Sequence, residues 1–329
     1  MAKKIAINGF GRIGRLTFRN LIQQTDVEVV AINDLTDAAT LAHLLEFDSS
    51  HRRFNGTVEV KDGHLVVNGQ SIPIYSERNP ADLPWGALEV DVVLECTGFF
   101  RKKEQAELHL QAGAKKVLLS APAKSKGIPT IVKGVNDNLL TGADKIVSNA
   151  SCTTNCLAPL VKVLEEEWGL KHGYMSTIHA YTANQKLQDA PHSDLRRARA
   201  AALNMIPTST GAAQALELVM PSVKGKISAS SIRVPVPTGS LIELVVATEK
   251  EVTVEEVNAK FKAASEGALK GVLEYTEKPI VSTDIISNPY SSIFDAELTT
   301  LHHGLLKLTA WYDNEAGYSA RLAELAEMI

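Results

Sequence analysis

The segment Gly9-Phe10-Gly11-Arg12-Ile13-Gly14 constrains this chain more than any other. It fits G-x-G-x-x-G, a spacing that alone marks little more than a glycine-rich turn. Its setting adds the information. Ile5-Ala6-Ile7 before it reads as a strand, and Ile13, Leu16 and Leu21 after it carry a helical pattern. Residues 27–32 read as a second buried strand, and Asp34 stands at its end, 20 residues beyond Gly14. Glycines so placed permit a tight turn and close approach of backbone to a pyrophosphate at a helix N-terminus; an acid at that distance holds a ribose diol. The alternative is an ordinary turn, with Asp34 capping the following helix.

The first half continues as alternating short apolar runs and helical patterns, which predicts a parallel α/β sheet. Strands are expected at 90–94 and 117–119, with a helix over 101–112 stopped by Gly113. Residues 56–75 differ: Asp62-Gly63 and Asn68-Gly69 separate β-rich stretches and predict consecutive hairpins. Near residue 150 the character changes. Strands near 173–181, 227–234, 241–248 and 304–312 lack regular alternation with helices, which predicts an α+β region on a mixed or antiparallel sheet. The boundary falls near 149/150, and residues 321–329 read as a closing amphipathic helix.

Of 329 residues, 45% are apolar and 22% charged, enough for two buried cores. The net charge of −4 argues against nucleic acid as the main partner. No run of about 18 apolar residues offers a membrane span, and no signal-like stretch precedes the first strand. Three cysteines cannot form a fully paired disulfide set, so free thiols in a cytoplasmic protein are expected.

One of those cysteines is placed for chemistry. In Ser151-Cys152-Thr153-Thr154-Asn155-Cys156, Ser151 can cap a helix whose apolar stripe is Leu157, Leu160, Val161, Leu164 and Trp168. A thiol at a helix N-terminus has its thiolate stabilised by backbone amides, which predicts a lowered pKa and a nucleophile. Cys152 and Cys156 lie four apart, as a metal pair could, but no third ligand at zinc spacing joins them, so no metal is predicted. Cys156 then reads as packing and Cys96, after a buried strand, as core. His179 lies in a strand-like run where a lone histidine is commonly structural; beside the cofactor motif it becomes a candidate base. Arg197 in Arg196-Arg197-Ala198-Arg199, Thr210-Gly211 before a helix, and Arg233 within a strand are candidate phosphate ligands. Each taken alone could equally be solvated surface or an ordinary cap.

Together these segments resemble the phosphorylating glyceraldehyde-3-phosphate dehydrogenases. The stretches that carry the likeness are 7–15 (INGFGRIGR), 148–156 (SNASCTTNC), 194–199 (DLRRAR), 206–213 (IPTSTGAA), Arg233-Val234-Pro235 and 311–319 (WYDNEAGYS), in family order. The resemblance implies a Rossmann-type NAD-binding domain over 1–149, joined by the helix at 315–329, and a catalytic domain over 150–314. It implies oxidation of glyceraldehyde 3-phosphate with NAD and inorganic phosphate to 1,3-bisphosphoglycerate, through a thioester on Cys152 with His179 as base. Thr182 and Arg233 then hold the substrate's own phosphate. Ser151, Thr153, Arg197, Thr210 and Gly211 surround the attacking phosphate and the reacting centre. Gly9, Gly11, Arg12, Ile13, Gly14, Asp34, Arg78, Ser120 and Asn314 fall to the cofactor, Asn314 on the nicotinamide amide and Asp34 against a 2′-phosphate. A homotetramer is implied, with residues 181–205 packed near a neighbouring subunit. Gln214 departs from the family pattern, where lysine is common, without touching a matched catalytic residue. Two other readings stay open at this point: the sister enzyme acting on erythrose 4-phosphate, which Thr182 disfavours, and a non-catalytic nucleotide-binding protein.

Overall fold

The computed structural model describes residues 2–329 and divides into two compact units. Residues 1–131, 139–150 and 319–329 form the first; residues 132–138 and 151–318 form the second.

In chain order the first unit contains β1 (Lys3–Asn8), α1 (Arg12–Leu21), β2 (Val27–Asn33), α2 (Ala38–Glu46), β3 (Val58–Lys61), β4 (His64–Val67), β5 (Gln70–Ile72), β6 (Ile74–Tyr75), β7 (Val92–Glu95), α3 (Lys103–Gln111), β8 (Lys116–Leu119) and β9 (Ile146–Ser148). Six strands pair in parallel in the order β6-β2-β1-β7-β8-β9. This is the doubly wound arrangement, in which strand order reverses between β1 and β7 and ligands collect at the carboxyl ends. Strand alternation divides the core between the two faces. Ile5 and Ile7 pack with Phe18, Leu21 and Leu322, whereas Ala6 packs with Ala31, Trp85 and Val93. The two hairpins appear as expected, β3-β4-β5, with Asp62, Gly63, Asn68 and Gly69 all at positive φ, the geometry of a two-residue hairpin turn. Helix α3 starts later than expected because the Gln105 side chain accepts from the Lys102 amide (3.1 Å) and closes the first turn there.

The second unit contains α4 (Cys152–Glu167), β10 (Leu170–Ala180), β11 (Ile206–Thr208), α5 (Ala212–Val219), β12 (Ile227–Val234), β13 (Ser240–Thr248), α6 (Val254–Glu266), β14 (Leu273–Thr276), β15 (Ser292–Asp295), β16 (Thr300–His302) and β17 (Leu305–Tyr312). Its sheet is mixed, in the order β11-β12-β10-β13-β17-β15-β14, with β16 on β17. β10 runs parallel to β12 and antiparallel to β13. The stripe foreseen on α4 is buried at Leu157, Leu160, Val161 and Leu164. On α6, Phe261 stacks on Phe294 of β15 at 4.2 Å between ring centroids.

The last helix, α7 (Ala316–Met328), begins in the second unit and ends in the first. There Leu322, Leu325 and Ala326 join the core, and Lys3 Nζ donates to the carbonyls of Ala326 (3.4 Å) and Ile329 (2.5 Å). Among the described residues no helix is long and apolar enough to cross a membrane.

The three glycines of the turn have separate tasks. A Cβ on Gly14 would lie 2.2 Å from the Gly9 carbonyl oxygen, and one on Gly9, at φ +96°, would lie 2.7 Å from the Thr97 nitrogen. A Cβ on Gly11 would meet nothing within 4 Å. Gly14→Ala is therefore expected to destabilise the protein by about 1–3 kcal/mol through overpacking, and Gly11→Ala by less than about 1 kcal/mol. Chemical denaturation of both variants checks this; equal losses would refute the assignment.

Candidate active site

The first unit forms a cleft of about 440 Å³ at the carboxyl ends of its strands, lined by Gly9, Gly11, Asp34, Arg78, Thr97 and Phe99 among others. Gly11 caps α1 with no side chain over the first amides, so the N–H groups of the opening turn face outward. Asp34 follows β2 directly. Its Oδ2 accepts from the Phe10 amide (2.7 Å) and its Oδ1 from the Thr36 amide (2.9 Å), which fixes the carboxylate at the cleft wall. Asp37, not Asp34, caps α2, accepting from the Thr40 amide, so the ordinary-cap reading of Asp34 fails. Open space at Gly11, an uncapped helix start and a fixed carboxylate fit a dinucleotide.

Other residues foreseen here sit differently. The Arg12 guanidinium forks onto Asp48 at 2.5 and 3.2 Å. Burial alone would push Asp48 up, but that fork and the amides of His51 and Ser50 outweigh it and hold the carboxyl at about 2. Ile13 packs against the core. Ser120 follows β8 and lies beside Cys96, with its amide on the Glu95 carbonyl (3.0 Å). Cys96 packs against the core of the first unit, as expected, and also lines the cleft, where it is partly exposed.

In the second unit Ser151 caps α4 as expected, its Oγ accepting from the Thr154 amide (3.1 Å). Cys152 thus occupies the first helical position, and its Sγ lies 3.5 Å from His179 Nε2. His179, 3% exposed, comes from the end of β10. Its Nδ1 lies 2.6 Å from the Ala180 carbonyl oxygen, which can only accept. Arg233 Nη1, which can only donate, also lies 2.9 Å from Nδ1, but it reaches the same carbonyl at 3.0 Å. With that guanidinium hydrogen on the carbonyl and the ring proton on Nδ1, Nε2 presents a lone pair to the thiol. Arg233, the register partner of His179 on β12, places Nη1 3.0 Å from the same carbonyl and 3.4 Å from Thr182 Oγ1. Among the described residues no carboxylate pairs with Arg233. A mostly buried guanidinium in that position can receive an anion.

Arg197 is held more completely. Its guanidinium donates to Thr208 Oγ1 (2.9 Å), Asn184 Oδ1 (3.2 Å) and the Ser209 carbonyl (3.1 Å), with Asp194 at 3.6 Å. Thr210 Oγ1 accepts from the Ala212 amide (3.3 Å), and Gly211 caps α5 without a side chain. Asn314 is tied through its Oδ1, which accepts from Ser240 Oγ (2.9 Å); Ser240 Oγ in turn accepts from the Ala180 amide (3.0 Å). The amide nitrogen of Asn314 is thereby turned away from Ser240, as a donor for a ligand carbonyl would be.

Two family models match the chain: one described as glyceraldehyde 3-phosphate dehydrogenase, NAD binding domain, over residues 3–103, and one as glyceraldehyde 3-phosphate dehydrogenase, C-terminal domain, over residues 151–314. The chain is 55% identical to the glyceraldehyde-3-phosphate dehydrogenase of Geobacillus stearothermophilus over 331 residues, spanning all of this chain and 98% of that protein. The proteins of the same name from Priestia megaterium (55%) and Bacillus subtilis strain 168 (54%) match with the same coverage. The chain belongs to the glyceraldehyde-3-phosphate dehydrogenase family.

Within this member of the family, sequence reasoning passed over Tyr312. It lies in β17, 1% exposed, and its hydroxyl bridges Thr153 Oγ1 (3.0 Å) and Thr177 Oγ1 (2.8 Å). Its ring meets the His179 imidazole edge-to-face at 5.9 Å. Apolar alternation in β17 gave no reason to single it out, yet it braces both the cysteine helix and the histidine. The electrostatics also correct one expectation. Enclosure of its sulfur pushes the Cys152 thiol up, against the opposing pull of the Arg233 charge and the Thr153 hydroxyl and amide. Burial, then the Arg233 charge, lowers His179 to about 3. Enclosure thus works against both the Cys152 thiolate and the His179 imidazolium, opposite to the lowered thiol pKa expected of the helix end.

Ionisation of Cys152 then depends on handing its proton to Nε2, an acceptor that the other thiols lack. Cys96 is pushed up to about 12 by burial and the Glu95 charge, and Cys156, fully buried, is pushed up further. Iodoacetamide at neutral pH should label Cys152 first, at least about tenfold faster than Cys96 or Cys156. Peptide mass spectrometry of a time course reads the order, and prior labelling of Cys96 would contradict it.

Proposed function

We propose that this chain oxidises D-glyceraldehyde 3-phosphate to 1,3-bisphosphoglycerate, using NAD and inorganic phosphate, by covalent catalysis on Cys152. The observation that carries this reading is the Cys152 Sγ–His179 Nε2 approach at 3.5 Å, with the far side of the imidazole held on Ala180. The sulfur attacks the aldehyde carbon as its proton passes to Nε2, which returns it to the resulting oxyanion, giving a hemithioacetal and a neutral imidazole. His179 later takes the hemithioacetal hydroxyl proton, the bond change that turns the adduct into a thioester. NAD, when bound, accepts the hydride released in that step. A phosphate oxygen then attacks the thioester carbonyl, Cys152 leaves as thiolate, and the acyl phosphate departs.

Residue roles are assigned as the family resemblance implies, with the contacts in support. Arg233 with Thr182 supplies a cationic fork without a carboxylate partner, suited to the substrate's phosphate. Arg197 with Thr210 and Gly211, together with Ser151 and Thr153, is assigned to the attacking phosphate. Gly9, Gly11, Arg12, Ile13, Gly14, Asp34, Arg78, Ser120 and Asn314 are assigned to the cofactor; Arg12 would offer it backbone only, since its guanidinium is committed to Asp48. Free thiols at Cys96, Cys152 and Cys156 agree with a cytoplasmic setting. A homotetramer is supported by residues 181–205, which form no helix or strand and expose Leu187, Leu195, Leu203 and Met205.

Steady-state kinetics with aldehyde and phosphate varied independently test the chemistry. Arg233→Ala should chiefly raise KM for the aldehyde and Arg197→Ala chiefly that for phosphate, each by roughly 10–150-fold, the worth of one charge-assisted contact. Full turnover without phosphate or arsenate would defeat the reading. For the assembly, light scattering at micromolar concentration should give the mass of four chains; the mass of one chain would refute it.

A further inference from the structure

We propose that Glu95 is a positioning residue for the cofactor cleft: through a buried line of hydrogen bonds it sets the two chain turns that form the cleft walls. The line crosses three neighbouring strand ends. Asn33 ends β2, Asn8 ends β1 and Glu95 ends β7, and Asn8 is the register partner of both. All three are buried.

The direction of every bond in the line is settled from its ends. At one end the Glu77 amide, which can only donate, gives its hydrogen to Asn33 Oδ1 (2.8 Å). Asn33 Nδ2 therefore donates, to the Glu77 carbonyl (2.9 Å) and to Asn8 Oδ1 (2.7 Å). This leaves Asn8 Nδ2 to donate to Glu95 Oε2 (2.6 Å). At the other end the indole N–H of Trp85, again donor only, gives its hydrogen to His109 Nδ1 (3.0 Å). The His109 proton then sits on Nε2 and is donated to Glu95 Oε2 (3.1 Å). Glu95 Oε1 accepts from the Thr97 amide (2.8 Å) and from the Thr97 hydroxyl. Four donors thus converge on one carboxyl group, and among the described residues no acceptor is bonded to it.

The ends of this network are the cleft. Asn33 clasps both backbone groups of Glu77, next to Arg78, and Thr97 Oγ1 accepts from the Phe99 amide (3.1 Å). Gly9 has no room for a Cβ because Thr97 stands against it, so the position of Thr97 sets the space open to the glycine turn. Buried networks of this kind rigidify when every member is satisfied and loosen when one is lost. His109 and Trp85 line no part of the cleft, yet they complete the set of partners around Glu95. The proposal rests on the reading that this cleft holds NAD.

His109 provides the test, since it touches neither cofactor nor substrate. His109→Leu removes the donor to Glu95 and the acceptor for Trp85, whereas His109→Gln retains an amide N–H and a carbonyl. In His109→Leu, KM and Kd for NAD should rise roughly tenfold or more while kcat at saturating NAD stays within about twofold. His109→Gln should recover most of the affinity. Trp85→Phe, which keeps the ring and deletes only the indole N–H, should raise both constants a few-fold and serves if the leucine variant does not fold. A fall in melting temperature with NAD affinity unchanged, or equal loss of kcat, would overturn the proposal. Calorimetric titration of the unaltered protein keeps the two ideas apart: absence of NAD binding there defeats the cofactor reading itself.

Discussion

His179 and Arg233 face each other because β10 and β12 run parallel in one register, from Gly173 opposite Ile227 to Ala180 opposite Val234. Side chains alternate along a strand, so a slip by one residue would send the guanidinium to the opposite face. The pairing is over-determined: β13 holds β10 from its other side over almost its whole length. The imidazole is therefore carried on an interior strand rather than a loop, the kind of element that keeps a reacting nitrogen within a few tenths of an ångström. Its orientation is completed by the Ala180 carbonyl, from the adjacent residue of the same strand, by Arg233 Nη1 and by the edge-to-face contact with the Tyr312 ring. The cost is a guanidinium drawn into a mostly buried position beside a neutral ring, a charge that a phosphate can satisfy.

The first unit solves a different problem with the same means. Its parallel strands end together, and what each strand presents at that edge decides what the edge can receive. Backbone amides at Gly11 and the Asp34 carboxylate supply opposite polarity a short distance apart in the chain. Glycine serves two incompatible requirements there. At position 14 it lets a helix press onto the turn, and at position 11 it leaves space unfilled.

Much of this was legible because it rests on short-range rules. The glycine spacing, the hairpin turns at 62–63 and 68–69, and Ser151 at the head of α4 each depend on residues within a few positions of one another. Parallel α/β order in the first unit followed from alternation, and the mixed sheet of the second from its absence. What escaped depends on partners distant in the chain. Tyr312 reads as one more apolar strand residue until its hydroxyl is seen between Thr153 and Thr177. Cys96 reads as core, and it does pack there, but its place on the cleft wall depends on glycines and loops distant in the chain. A helix end favours the Cys152 thiolate through nearby amides, but enclosure of the sulfur by residues distant in the chain opposes it more strongly. Asn8 and Asn33 carry no pattern of their own; only register brings them beside Glu95.

The passage of the chain between its two units has a consequence for synthesis on the ribosome. The second unit is complete once Tyr318 has been made, whereas the first still lacks residues 319–329. Those residues bring Leu322, Leu325 and Ala326 into a core that includes Ile5 and Ile7, among the earliest residues translated. Domains generally fold in the order in which they emerge. Here the unit begun first is finished last, and its incomplete apolar face must wait through the translation of the whole second unit. A nascent chain of this design has a long interval in which chaperone contact would fall on the nucleotide-binding half.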